Sequence, residues 1–408
     1  CFSPRRPFEG NDALQAEGAV SGPEAVVSAH GARRWTEGHP WIFRSDIMQS
    51  PPAPAGAVSV HDSRGRALGS ALWSPASEIA LRRLDPDPSV RIDAAWWHAR
   101  LARAVARRAP LESVTTAFRL VHGEGDGLPS LVVDRYDRWL VVQFLSAGIE
   151  AFRNEIVDAL AALTGCAGIL ARNDASVRTR EGLTRSVELL QGEVPDEITV
   201  MEHGVRYLAA PHSGQKTGAF LDQRENRALV ATVARGRALD LFSYHGSFAL
   251  HLARAAADVT AVDSSGPALA RGRQNAALNG SANIKFVEAD AFEFLRSELQ
   301  NGRRYDTIVV DPPAFARNRA SLAGAIRGYR DLNLHAMRLL VPGGLLFTAS
   351  CSYHLTKPLF LDMLRDASAA SGRPLILRAI TAQPLDHPEL VTVPETGYLK
   401  GALLEALD

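Results

Sequence analysis

Five short apolar runs alternate with helix-forming stretches between residues 220 and 370, and that alternation admits few architectures. The runs are 238–242, 258–262, 284–288, 307–310 and 345–349. Helices are expected over 220–234, 247–257, 266–278, 291–299, 329–340 and 357–370. Strand and helix in turn mark a mixed, mostly parallel doubly wound sheet of the α/β class. Pro342-Gly343-Gly344 turns the chain sharply ahead of the last run. Open sheets of this kind bind ligands in the crevice outside the carboxyl ends of their strands. The residues that close each run are therefore the candidates for function.

Upstream the pattern differs. Residues 1–24 are rich in Pro, Gly, Ala and charge and read as a disordered tail. Strand-like pieces follow at 25–27, 41–43, 57–60, 67–73 and 79–81, with turn residues between them, describing a small β module over 25–97. Asp93 is placed to cap a helix over 94–108, with Ala94, Trp97, Leu101 and Val105 as its apolar stripe. A central α+β domain is expected over 98–197, with strands at 118–121, 130–134, 139–144 and 168–171 and a helix over 147–163. The doubly wound domain then occupies 198–408.

Composition narrows the function classes. Equal numbers of acidic and basic residues argue against a purely electrostatic nucleic-acid binder, while leaving room for a local basic face. Three cysteines, Cys1, Cys166 and Cys351, cannot staple 408 residues, and their spacing fits no metal site. No run of about eighteen apolar residues occurs, so a soluble, cytoplasmic protein that does not span a membrane is expected. The sequence begins at Cys1, so the completeness of its N-terminus stays open.

The first run opens the segment from Asp240 to Phe248, and Asp263 ends the next run twenty-three residues beyond Asp240. A carboxylate there accepts both ribose hydroxyls of an adenosine. A dinucleotide would want Gly-x-Gly-x-x-Gly to bring its pyrophosphate to a helix N-terminus. Only Gly246 is present, which suits a cofactor with an amino group and no phosphate: S-adenosyl-L-methionine. Asp290, closing the third run, is placed beside the adenine. The bland alternatives are a helix cap for Asp240 and solvated strand ends for Asp263 and Asp290.

Asp311-Pro312-Pro313-Ala314-Phe315 closes the fourth run, and Ser350-Cys351-Ser352 follows the fifth. A carboxyl and a thiol at one sheet edge suit covalent catalysis on a pyrimidine. Carbon 5 of the ring accepts a methyl group once a thiolate has added at C6. A thiol biased toward thiolate by its surroundings is expected for Cys351. Asp311 would protonate or hydrogen-bond N3, and the Pro312 carbonyl would receive an exocyclic amine. A small buried hydrophobe is the plain alternative for Cys351, and the core is the expectation for Cys166.

These stretches together resemble a known family. Gly31-Ala32-Arg33-Arg34, Gly38 to Phe43, Gly125 to Pro129, Lys216 to Arg224, Asp240 to Phe248, Asp311 to Phe315, Ser350 to Ser352 and Pro394 to Gly401 span roughly residues 25 to 405 in one order. The sequence is similar to the large-subunit (23S) ribosomal RNA cytosine-C5 methyltransferases, which carry a PUA domain before a Rossmann-like class I methyltransferase domain. The resemblance implies Cys351 as nucleophile with Asp311 beside it. It implies Asp240, Phe242, Ser243, Gly246, Asp263, Asp290 and Asp311 around the cofactor. It also implies Pro312, Pro313, Phe315, Phe220, Asp222, Gln223 and Arg224 around the substrate, with Arg33 and Arg34 of the PUA-like module on RNA. Trp35 and Trp41 would add base stacking, and Arg100, Arg103, Arg107 and Arg108 would extend the track, a solvated helix face being the alternative. Many RNA cytosine-C5 methyltransferases have a second cysteine just after the Asp-Pro-Pro turn; Ala314 stands there. The implied partner is large-subunit ribosomal RNA; a homodimer is compatible with the sequence, which does not require one. Two other readings stay open: an N-methyltransferase on guanine or adenine, which needs no Cys351, and a non-catalytic RNA-binding assembly factor, which would not bind the cofactor.

Overall fold

The computed structural model describes residues 22–316 and 318–407; the expected tail lies outside the described residues as far as residue 21, as does Cys1. Glu24 already belongs to a strand, Glu24–Val27, so ordered structure begins one residue earlier than expected. The front module is a six-stranded sheet built from strands between Glu24 and Asp85. A helix, Ala29–Thr36, interrupts it, capped by the Ser28 hydroxyl. Its sequence, Ala-His-Gly-Ala-Arg-Arg-Trp-Thr, carries too few apolar residues for the spacing to reveal it. Only Gly31, Ala32 and Trp35 are buried.

The Asp93-capped helix Ala94–Arg108 forms as expected. It packs on a five-stranded sheet from Ala117–His122 to Ser186–Gly192. The expected long helix in this region is two: Ala147–Glu150 and Arg153–Thr164, parted at Ala151 and Phe152. A hairpin, Ile198–Glu202 with Val205–Ala209, leads into the last sheet.

That sheet has seven strands in the order Ile284–Glu288, Asp258–Asp263, Arg237–Leu241, Tyr305–Val310, Leu340–Ser350, Lys400–Ala406, Leu375–Thr381. The first five are parallel, and the Lys400–Ala406 strand runs antiparallel to both of its neighbours. Strand order reverses between Arg237–Leu241 and Tyr305–Val310, so the crevice of a doubly wound sheet opens there. Asp311 follows one of these two strands directly, and Asp240 is the penultimate residue of the other. Two strands escaped the periodicity, Leu375–Thr381 and Lys400–Ala406, because neither is followed by a helix.

The modules are tied by buried charge. Arg227 holds Glu202 through two bonds of 2.6 and 2.7 Å, with both side chains almost wholly buried. Arg224 grips Asp386 at 2.9 and 3.0 Å, and the same carboxylate accepts the Arg119 backbone N–H at 2.8 Å. Arg108 reaches the Asp386 carbonyl and the Asp126 carboxylate. Gly125 lets the C-terminal loop approach: a β-carbon there would lie 2.5 Å from the Pro388 carbonyl oxygen. Arg100 pairs with Asp85, and Arg107 with Asp126. Arg108 is thus a buried structural ion pair and Arg100 a half-buried one, whereas Arg103 and Arg107 lie on the solvated face considered from sequence. Removing one partner of a buried pair strands the other charge. Arg227→Met is therefore expected to lower stability by about 3–5 kcal/mol, read as a fall in the urea midpoint by circular dichroism; an unchanged midpoint refutes it.

Candidate active site

The segment after the Arg237–Leu241 strand is tightly wound. Phe242, Tyr244 and Gly246 have φ of 63°, 49° and 82°. Two non-glycine residues in the left-handed region so close together are held only where the surroundings fix them. Here Asp263 does so, accepting the Tyr244 N–H at 2.8 Å and the Ser265 N–H at 2.9 Å. The Ser243 N–H reaches the Val262 carbonyl, and Asn275 holds the His245 carbonyl at 2.9 Å. Asp240, wholly buried, accepts the Ala249 N–H of the helix that follows. Burial pushes its carboxyl far above the ordinary range, and Asp311 and Asp263 add to that. A cation placed beside it would favour the ionised form.

These residues fit an aminoacyl nucleoside better than a dinucleotide. The Ser243 hydroxyl is buried without a partner, a donor and acceptor waiting for one. Asp263 is half-buried and keeps lone pairs beyond its two backbone bonds. Asp240 offers a buried carboxyl to an ammonium, and no nest of glycines is present for a phosphate. Asp290 differs from the expectation in part. It caps the helix Ala291–Gln300 through bonds to the Phe292 and Glu293 N–H groups, and it is exposed.

On the other side of the crevice stand Asp311 and Cys351. Gln223 donates to Asp311 Oδ1 at 2.8 Å. Burial, then the neighbouring Asp222 carboxylate, push Asp311 up to about 7, with Lys216 pulling the other way. Burial and then Asp311 push the half-buried Cys351 thiol up as well, again against Lys216. The expected bias toward thiolate is thus absent in the free protein, because an acidic neighbour and a partly apolar wall outweigh the nearby ammonium.

Asp222 is buried and accepts Lys216 Nζ at 2.6 Å and the Tyr398 hydroxyl at 2.8 Å on the same oxygen. Its other oxygen has no partner. Burial alone would raise Asp222, yet Lys216 and His387 hold it well below the carboxylate range. Phe220 lies under Lys216 Nζ, 4.5 Å from the ring centroid, and meets Tyr244 edge-on at 5.4 Å. Phe220, Asp222 and Gln223 thus join the cofactor segment to the Asp311 corner.

Arg224 does not line this space. It is fully buried and its guanidinium is committed to Asp386 and Glu225, which corrects the substrate contact expected for it. Phe315 packs on Tyr329, 4.7 Å between centroids, with Phe292 beyond, so it anchors the Asp-Pro-Pro turn. Pro312 is buried and Pro313 exposed. In the front module Arg33 is exposed, whereas Arg34 stacks over Phe43 at 4.8 Å and bonds His39. Trp35 is core, and Trp41 donates to Glu124 at 2.9 Å; the stacking role expected for Trp35 is excluded by its burial. Cys166 packs at the margin of the central core.

Several members of the site were not singled out from sequence. Lys400 pairs across the sheet with Ser350, and its Nζ donates to the Ser352 carbonyl at 2.7 Å. Burial lowers this amine to about 8, with Cys351 raising it somewhat. The Ser352 hydroxyl bonds Tyr329 at 2.9 Å and receives the Ala316 N–H at 3.2 Å, tying the cysteine turn to the Asp-Pro-Pro turn. Lys216, Tyr398 and Lys400 all lie within stretches that carried the resemblance, which was the available signal.

Residues 118–391 match the S-adenosylmethionine-dependent methyltransferase family, and residues 26–86 match a PUA-like domain. The chain is 39% identical over 377 residues to ribosomal RNA large subunit methyltransferase I of Aeromonas salmonicida, covering 90% of this chain and 95% of that protein. It is 41% identical over 372 residues to the protein of that name in Shewanella amazonensis, covering 89% and 94%. A solved S-adenosylmethionine-dependent methyltransferase from Streptococcus mutans superposes with a TM-score of 0.80 at 21% identity, over 94% of this chain and all of that one. A methyltransferase crystallised with SAH gives 0.81 at 21% identity, over 94% and 100%. Among the described residues no helix is long and apolar enough to cross a membrane. A PUA-like module followed by a Rossmann-like domain with this crevice, and relatives aligned nearly end to end, have one meaning: the chain belongs to the S-adenosylmethionine-dependent methyltransferases, in the family of the ribosomal RNA large subunit methyltransferase I proteins.

Proposed function

We propose that this enzyme methylates C5 of a cytosine in large-subunit ribosomal RNA through a covalent adduct between Cys351 and C6. The observation that carries the reading is that Asp311 and Cys351 stand at the ends of neighbouring strands beside the switch point, near enough for the carboxylate to push the thiol up. A carboxyl near 7 is basic enough to take a proton from a thiol and acidic enough to pass it on.

The bound cofactor supplies an electrophilic methyl group. Asp311 as carboxylate takes the Cys351 proton; Sγ bonds to C6 while Asp311 passes the proton to N3. The C5–C6 π pair thereby becomes an enamine with its electron density at C5. After C5 has gained the methyl group, water takes the C5 proton, the C5–H pair re-forms C5=C6 and expels Sγ as thiolate, and N3 returns its proton through Asp311 to that sulfur. Lys216 and Lys400 steady the sulfur as it gains charge, and Gln223 and Tyr329 hold the two turns in register. Asp240, Ser243 and Asp263 hold the cofactor, and Arg33 reaches RNA from the front module. Such a substrate places the enzyme in the cytoplasm, where the target base must leave its stack to reach the crevice.

Labelled methyl transfer to 23S ribosomal RNA transcripts, followed by nucleoside analysis, tests the reading. Label is expected in 5-methylcytidine. Label in N-methylguanosine or N-methyladenosine, or none in any nucleoside, would overturn it.

A further inference from the structure

Beside the cysteine turn lies a cavity of about 700 Å³ that has only Lys400 in common with the mechanism above. Its wall includes Arg319, Tyr353, His354, Lys357, Glu389 and Lys400. Volumes of about 300–1,000 Å³ are typical of sites that take a small ligand. Tyr353, two residues after the nucleophile, is 46% exposed, an unusual amount for an aromatic on a short turn. Its ring meets His354 edge-on at 5.3 Å and leaves a face open. Arg319 and Lys357 are exposed, and among the described residues no carboxylate lies within 4.0 Å of either.

The floor of the cavity is more telling. Lys400 is nine-tenths buried there, uses one of its donors on the Ser352 carbonyl, and has no carboxylate partner among the described residues. The helix Lys357–Ser371 also begins at the rim. Its first turn holds no acidic residue and the Thr356 side chain makes no capping bond; Pro358 lacks an N–H and Phe360 donates to the Thr356 carbonyl, which leaves the Lys357 and Leu359 N–H groups for an anion. One open aromatic face, a run of unpaired cations and a buried ammonium describe a site for a base and its phosphate.

We infer that this cavity seats the nucleotide next to the target base in the RNA strand, its base stacked on Tyr353 and its phosphate held by Arg319 and Lys357. The inference rests on the proposed function, since Lys400 lines this cavity while holding the Ser352 carbonyl of the cysteine turn, and the neighbour of a base at Cys351 falls here. Glu389, the one acid in the wall, suits a base amine or a ribose 2′-hydroxyl.

A fluorescein-labelled oligocytidylate of about a dozen nucleotides serves as the probe. The double variant Arg319→Ala/Lys357→Ala is expected to weaken its binding about tenfold. It should also reduce the slope of log affinity against log salt by about 0.7, the value for one phosphate on a single strand. Tyr353→Ala should weaken binding by about 5- to 150-fold, the range of one lost base stack, while Tyr353→Phe binds as the parent does. Cofactor affinity by calorimetry should stay unchanged in all three. Parent-like affinity and slope in the double variant would sink the inference, as would a Tyr353→Phe defect equal to that of Tyr353→Ala. The unaltered enzyme gives a second test: 4-thiouridine-substituted transcripts should crosslink to peptides around Tyr353 and Glu389. Crosslinks confined to the front module would refute the site. If the methylated nucleoside proves not to be 5-methylcytidine, the catalytic reading fails while these binding results stand.

Discussion

Cys351→Ala should abolish methyl transfer to ribosomal RNA, with a loss of at least about a thousandfold, and leave cofactor affinity within a factor of about two. The asymmetry follows from the site. Ala249, Val262, Tyr244 and Ser265 hold the cofactor segment in shape, and none of these contacts involves the sulfur. The substitution removes the nucleophile and only a few atoms of packing at the margin of the apolar cluster that contains Phe347 and Ala349. Covalent catalysis divides one hard step into easier ones, so no neighbouring group substitutes for the thiolate. Single-turnover assays with labelled cofactor, paired with calorimetry, measure both quantities. Retained methylation would mean that the acceptor atom is an amine.

The second large effect concerns the proton. Asp311 sits near 7, against about 4 for an ordinary carboxyl, so its basic form is scarce below neutrality and abundant above it. If Asp311 takes the Cys351 proton, kcat/KM rises through pH 7 and levels off. It falls again only where the thiol itself ionises, above its ordinary range, since no acid then remains for N3. Asp311→Asn keeps a donor toward N3 and removes the base. A loss of about 10²- to 10⁴-fold is expected, together with disappearance of the ascending limb near 7. A variant that retained that limb would transfer the ionisation to another group, with Lys400 the next in line.

What sequence disclosed and what it withheld divide along chain separation. The strand ends were legible because each short apolar run stops at a polar residue, and a doubly wound sheet gathers those ends at one edge. Asp240, Asp263, Asp311 and Cys351 were found that way. Asp290 was found too, but its exposed helix-capping position is a matter of local geometry that the run before it does not encode. Arg224 was misplaced because a charged residue at a helix start reads as solvent- or pocket-facing. Its partner Asp386 lies 162 residues away in a loop without a pattern. Lys400 was hidden for a similar reason: only the antiparallel return of the Lys400–Ala406 strand sets it against Ser350. The state of the thiol was misjudged because its nearest strong influence, Asp311, is itself altered by Asp222, a coupling no single position shows.

The Asp386 knot sets an order on synthesis. Its carboxylate meets Arg119 across 267 residues and Arg224 across 162, and its loop carries the chain toward Tyr398 and Lys400. Closing contacts over such spans is slow relative to local folding. While the last two dozen residues remain in the ribosomal tunnel, the sheet lacks its antiparallel strand and the cysteine turn lacks its ammonium. A polypeptide not yet extended through the Lys400–Ala406 strand therefore holds an unfinished crevice.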